Sequence, residues 1–118
     1  MITGVVGVTI WTHHLDPMFH FYNDVLRLPL HSRHNDFIAF ELGKIRFNIG
    51  VHDRVKGPSQ DSFRFMPHLG VDDIFDEHQR LESMGVEFIR PPEQEHWGGW
   101  IATVKDPDGN ILQLLQQP

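Results

Sequence analysis

A chain of 118 residues is long enough for one compact domain with its own core. Apolar residues make up 40% and charged residues 22%, the balance of a globular and not a disordered chain. The net charge is −6 and no basic run occurs, which argues against nucleic acid and membranes as partners; the lack of cysteine excludes disulfides, thiolate metal sites and a cysteine nucleophile. No charged-then-apolar leader and no long apolar run is present, so a cytoplasmic protein is expected.

Gly4 to Trp11 reads as a strand, with Val6, Val8 and Ile10 on one face and Gly7, Thr9 and Trp11 on the other. Asp16 is expected to cap a helix, with Pro17 at its first position, where a missing N–H costs nothing. Met18, Phe21, Tyr22, Val25 and Leu26 then form one apolar stripe. Short strands are expected at about Leu30–His34, Asp36–Leu42 and Lys44–Val51, the last two joined by a Gly43-Lys44 turn. His52 to Asp61 is polar and contains Gly57-Pro58, so it reads as a linker.

The order then repeats. Phe63–Val71 reads as a strand that turns Phe65, Leu69 and Val71 to the helix and Met66 and His68 away from it. Asp72-Asp73 caps a helix with Ile74, His78, Leu81 and Met84 inside, and Gly85 closes it in the left-handed region. Val86–Ile89 is a short strand. Trp100–Val104 and Ile111–Leu115 flank Asp106-Pro107-Asp108-Gly109-Asn110, a turn whose residue types are fully accounted for structurally. Leu112 and Leu114 then go to the helix, leaving Gln113 on the other face. The internal offset is about 58 to 59 residues, half the chain.

The expected fold is therefore α+β: two tandem βαβββ modules, about 1–51 and 62–118, joined by a linker at 52–61 within one domain. Two such sheets side by side would curve into a cup, the default place for a ligand.

The residues resemble the vicinal oxygen chelate superfamily, which includes glyoxalase I, bleomycin-resistance proteins and extradiol dioxygenases. Phe21 to Leu26, Gly70 to Asp73, Met84-Gly85-Val86, Trp97-Gly98-Gly99 and Asp106 to Asn110 carry the likeness, in that family's order. The fold hosts many chemistries as well as pure binders. Family members often have Gly where Arg27 stands, so the first helix is expected to end differently here. The resemblance implies four metal-ligand positions, and they map to Gly7, the neighbourhood of Arg46, Met66 and Gln113. Only Gln113 has a plausible donor atom for a hard cation. No metal and no cofactor is therefore expected. The resemblance also implies a homodimer, because short members pair modules between chains.

Nine histidines need separate weighing. His68 faces the expected cup and serves as general base if the protein is an enzyme; otherwise it lines the site. His78 reads as a core residue, His13 and His14 as surface loop, His20 and His52 as solvated, and His96 as a neighbour of the Trp97-Gly98-Gly99 rim, where it would contact a ligand. His31 and His34 are split across faces. The ligand-binding set expected is Trp11, Arg46, Asn48, Met66, His68, Trp97, Trp100 and Gln113, with no catalytic residue assigned. Three functions stay open. First is a small-molecule binder resembling bleomycin-resistance proteins, for which a cationic guest would suit the charge. Second is a metal-dependent or acid/base lyase, isomerase or dioxygenase; third is a fold reused for protein association alone.

Overall fold

The computed structural model describes all 118 residues, Met1–Pro118. The chain divides into two compact units, Met1–Gly57 and Pro58–Pro118. Each holds a four-stranded mixed sheet, and each sheet has one parallel pair and two antiparallel pairs.

In unit 1 the strands are β1 (Gly7–Thr12), β2 (Leu30–His34), β3 (Phe37–Leu42) and β4 (Ile45–Val51), ordered β1-β4-β3-β2. β1 runs parallel to β4, as a strand must when a helix carries the chain back across the sheet. That helix, α1 (Leu15–Phe19), continues directly into a π-helical stretch, His20–Val25. The wider turn is visible in the Leu26 N–H donating to the Phe21 carbonyl at 2.8 Å. It brings Met18, Phe21, Tyr22 and Val25 together on the buried face, where Tyr22 packs on Phe47 with ring centroids 5.4 Å apart. Ile38, Phe40, Phe47 and Ile49 complete this core.

Three local expectations change here. Val6 stays exposed, because the strand begins at Gly7. Asp16 is not the cap: the helix starts at Leu15 after His14, with no side-chain cap, and Asp16 pairs instead with Arg33 at 3.0 Å. Arg27 takes the left-handed conformation itself, φ 61°, so the helix ends where a glycine would end it, without the glycine.

In unit 2 the strands are β5 (His68–Gly70), β6 (Phe88–Gln94), β7 (Trp100–Lys105) and β8 (Ile111–Gln116), ordered β5-β8-β7-β6. Helix α2 (Ile74–Ser83) is capped by the Asp73 carboxylate, which accepts from the N–H groups of Phe75 and Asp76. Gly85 follows it at φ 86°. Ile74 and Leu81 are fully buried, and α2 packs against β6, β7 and β8, where Ala102, Val104, Leu112 and Leu114 are buried too. Met84 is exposed, against expectation, with its sulfur beside the Arg80 guanidinium. β5 is shorter than the expected Phe63–Val71. Pro67 has no N–H to give a ladder, and Phe63 and Phe65 lie exposed. β6 is longer than expected and runs through Pro91-Pro92, which its edge position and irregular register permit.

The β7–β8 turn is organised by one side chain. The Asp106 carboxylate is buried and accepts from Asp108 N–H, Asn110 N–H and the Asn110 amide, each at 2.9 Å. Gly109, at φ 84°, donates to the Asp106 carbonyl and closes the turn.

Candidate functional site

Alternation along the strands of unit 1 leaves one sheet face uncovered by its helix. Register fixes what shares each row of that face. Trp11 and Phe37 flank Gly50; Thr9 and Ala39 flank Asn48; Gly7 and Glu41 flank Arg46. Successive rows are about 6.6 Å apart, so the aromatic row lies about 13 Å from the arginine row.

The three rows differ in chemistry. At the first, the Trp11 and Phe37 rings lean over Gly50 with centroids 6.0 Å apart, and His52 meets Trp11 edge-on at 5.3 Å. Trp11 is 41% exposed and Phe37 39%, so this is an open aromatic corner and not core. In the second row the Asn48 amide donates to the Thr9 hydroxyl at 3.3 Å. In the third the Arg46 guanidinium holds the Glu41 carboxylate at 2.9 Å while staying half exposed. An arginine has five N–H donors, so one such contact leaves capacity for another acceptor.

Unit 2 has a corresponding open row. His68 lies opposite Gln113 on β8, and Gln113 opposite Thr103 on β7. The Gln113 amide is engaged at both ends: its oxygen accepts from the Thr103 hydroxyl at 2.6 Å, and its nitrogen donates to the Met66 sulfur at 3.6 Å. His68 is exposed. Next in this unit stands Arg90, bound to Glu95 at 2.6 Å and Glu93 at 3.3 Å; the Glu95 hydrogen bond pushes its pKa up.

The expected site residues therefore fall into separate groups. Trp11, Asn48 and Arg46 come together on the open face of unit 1, and Met66, His68 and Gln113 on that of unit 2. Trp97 sits on the turn between β6 and β7, its six-membered ring lying across Gly99 where no Cβ would fit. Trp100 departs from the group. It shares its face with buried Ala102 and Val104 and meets Phe75 of α2 edge-on at 4.9 Å, so it belongs to the helix-covered side. His78, half buried, packs edge-on against Phe88.

Two contributors escape the sequence reading. Phe37 was legible in principle: Ile38, Phe40 and Leu42 claim the helix side, which turns Phe37 outward. His52 was not, because its contact with Trp11 depends on how the chain leaves β4; there its Nδ1 accepts the Arg54 N–H at 3.1 Å. A separate groove of about 470 Å³ lies at the ends of β5 and β8, lined by Gly70, Val71, Asp72, Leu115, Gln116 and Gln117. None of the expected site residues lines it. Gln116 there accepts the Ile74 N–H at the start of α2.

The positions implied for metal ligands offer little to a hard cation. Gly7 has no side chain, Arg46 is a cation in an ion pair, Met66 is a thioether, and the Gln113 oxygen already has a donor. No group of three or more His, Asp or Glu side chains is gathered in metal-holding geometry.

The fold is that of two tandem βαβββ modules, the architecture of glyoxalase-like proteins. The chain belongs to the Glyoxalase/Bleomycin resistance protein/Dioxygenase superfamily, whose family model matches residues 4–114. A bleomycin resistance protein from Klebsiella pneumoniae is 34% identical over 55 residues, 41% of this chain and 44% of that protein. The match thus spans less than half of that relative's length. A superfamily member from Sphaerobacter thermophilus superposes with TM-score 0.78 at 22% identity, covering 98% of each chain. Lactoylglutathione lyase from Agrobacterium tumefaciens gives TM-score 0.77 at 15% identity, over 98% of this chain and 95% of that one. Both structures establish the likeness of fold alone. No helix is long and apolar enough to cross a membrane.

Proposed function

We propose that the protein binds a small organic molecule without a catalytic metal, as a binder of the bleomycin-resistance kind. The observation that carries this is the Trp11 corner. Two aromatic rings about 40% exposed are held over Gly50, at one end of a face that becomes polar at Asn48 and charged at Arg46. Open aromatic surface with a few placed polar groups is how ligand sites are built. The protein acts as a cytoplasmic homodimer, the copies burying exposed apolar side chains such as Val5, Phe63 and Phe65.

Native mass spectrometry of untagged protein for a copurified ligand, with calorimetry against zinc, nickel, manganese and iron(II), tests this. A bound organic guest and no stoichiometric metal is expected. Tight metal binding abolished by His68→Ala or Gln113→Ala would overturn it. One observation favours the second reading, an acid/base lyase or isomerase: His68 stands directly opposite Gln113 with its imidazole exposed. Turnover of a candidate substrate lost in His68→Ala would select that reading.

A further inference from the structure

We propose that Gly50 is a positioning residue for Trp11 and thereby sets the shape of the aromatic end of the site. This rests on the reading of the unit 1 face as a ligand surface. Gly50 sits inside a strand and is not among the glycines with positive φ, so its backbone does not demand glycine. The reason is space. A Cβ there would stand 2.7 Å from Trp11 Cζ3, 3.1 Å from Cε3 and 2.8 Å from Phe37 Cδ2. Carbon atoms in contact rest at about 3.5–4.0 Å, so at least one ring would have to move.

The register explains why both rings are affected. β4 is the middle of three strands, and Gly50 lies opposite Trp11 on β1 and Phe37 on β3. The missing side chain is the only one in that row's centre; Asn48 and Arg46 fill the same column further along. Bulk falls from Trp11 through Thr9 to Gly7 on β1 while it rises from Gly50 through Asn48 to Arg46 on β4. Trp11 can therefore lean across onto β4 only at Gly50. His52 edges the indole, so an outward push at Gly50 would also disturb that contact. Gly50 itself is buried beneath the rings, so it acts on the open face through Trp11.

The test uses 1-anilinonaphthalene-8-sulfonate as a fluorescent organic probe, together with near-UV circular dichroism. The Trp11 band is the difference between wild type and Trp11→Phe. Gly50→Ala is expected to lose most of that band and to bind the probe about tenfold more weakly. In a Trp11→Ala background the same substitution should change affinity by less than about twofold, because the residue it acts through is gone. An unchanged band in Gly50→Ala, or an equal loss of affinity in both backgrounds, overturns the proposal. Failure of the wild type to bind the probe counts instead against the ligand reading, and the band then decides Gly50 alone. Should Gly50→Ala not fold, Trp11→Ala/Gly50→Ala carries the test. Recovery of folding supports action through Trp11, and continued failure overturns it.

Discussion

The two units share one backbone plan and diverge on their open faces. In both, the first strand pairs parallel with the last, the last pairs antiparallel with the third, and the second lies at the edge. Unit 1 presents an aromatic corner grading into a half-exposed ion pair; unit 2 presents an amide held between a hydroxyl and a thioether, beside an exposed histidine. Strand order is decided by backbone hydrogen bonds and by the need to bury one face under a helix. The other face is free of that constraint, so the same fold carries different chemistry on each half.

The two units differ most in energy at their β-turns. Asp106→Ala removes three accepted hydrogen bonds from a buried site and leaves their donors unpaired, and should cost about 2–4 kcal/mol in urea unfolding. The Gly43-Lys44 turn of unit 1 has no comparable side chain, and Lys44→Ala should stay within about 0.5 kcal/mol. Equal effects would show that the turns are not organised differently.

The tryptophans of the two units have opposite roles. Trp100→Ala should lower stability by about 2 kcal/mol, since its ring packs on α2, and leave probe binding unchanged. Trp11→Ala should do the reverse: probe binding weakened about tenfold but still measurable, stability changed by less than about 1 kcal/mol. Loss of probe binding in Trp100→Ala at full stability would place the site on the wrong unit.

Smaller effects separate the left-handed positions. Gly109→Ala should cost about 1 kcal/mol, because φ is 84° and a Cβ is strained there even though it would meet only Ser62 Oγ, at an ordinary 3.9 Å. Arg27→Gly should raise stability by about 0.5–1 kcal/mol, since a non-glycine residue now holds φ at 61°. Thermal melts of both variants decide the signs.

The smallest effect concerns acid. The Asp24 carboxyl is held below its ordinary range, first by the Asn23 amide and then by His20. A depressed carboxylate stabilises the fold above its unfolded pKa, and that contribution disappears as pH falls through the folded value. Melting temperature against pH should therefore fall slightly less steeply on the acid side in Asp24→Asn; an unchanged acid limb would remove this role.

Much was determined by the sequence alone. Apolar alternation in Ile38-Ala39-Phe40 and Leu112-Gln113-Leu114 placed strands and their faces, because a period of two has only one way to bury its apolar set. Asp73, Gly85 and Gly109 were legible because caps and left-handed positions restrict residue type locally. Gly7, Arg46 and Met66 were likewise readable as poor ligand positions from residue chemistry, whereas the Thr103 hydroxyl on the Gln113 oxygen was not. Tertiary structure decided the rest. The π-helical stretch at His20–Val25 satisfies packing on β4, which no local propensity encodes. Phe63 and Phe65 look like strand residues but lack a partner, and a strand exists only where another strand bonds to it. Trp100, Trp11 and Trp97 are one residue type with three surroundings. What each touches depends on its cross-strand neighbours, on an overlying helix, or on a glycine that leaves room, and those are distances in space that spacing along the chain does not contain.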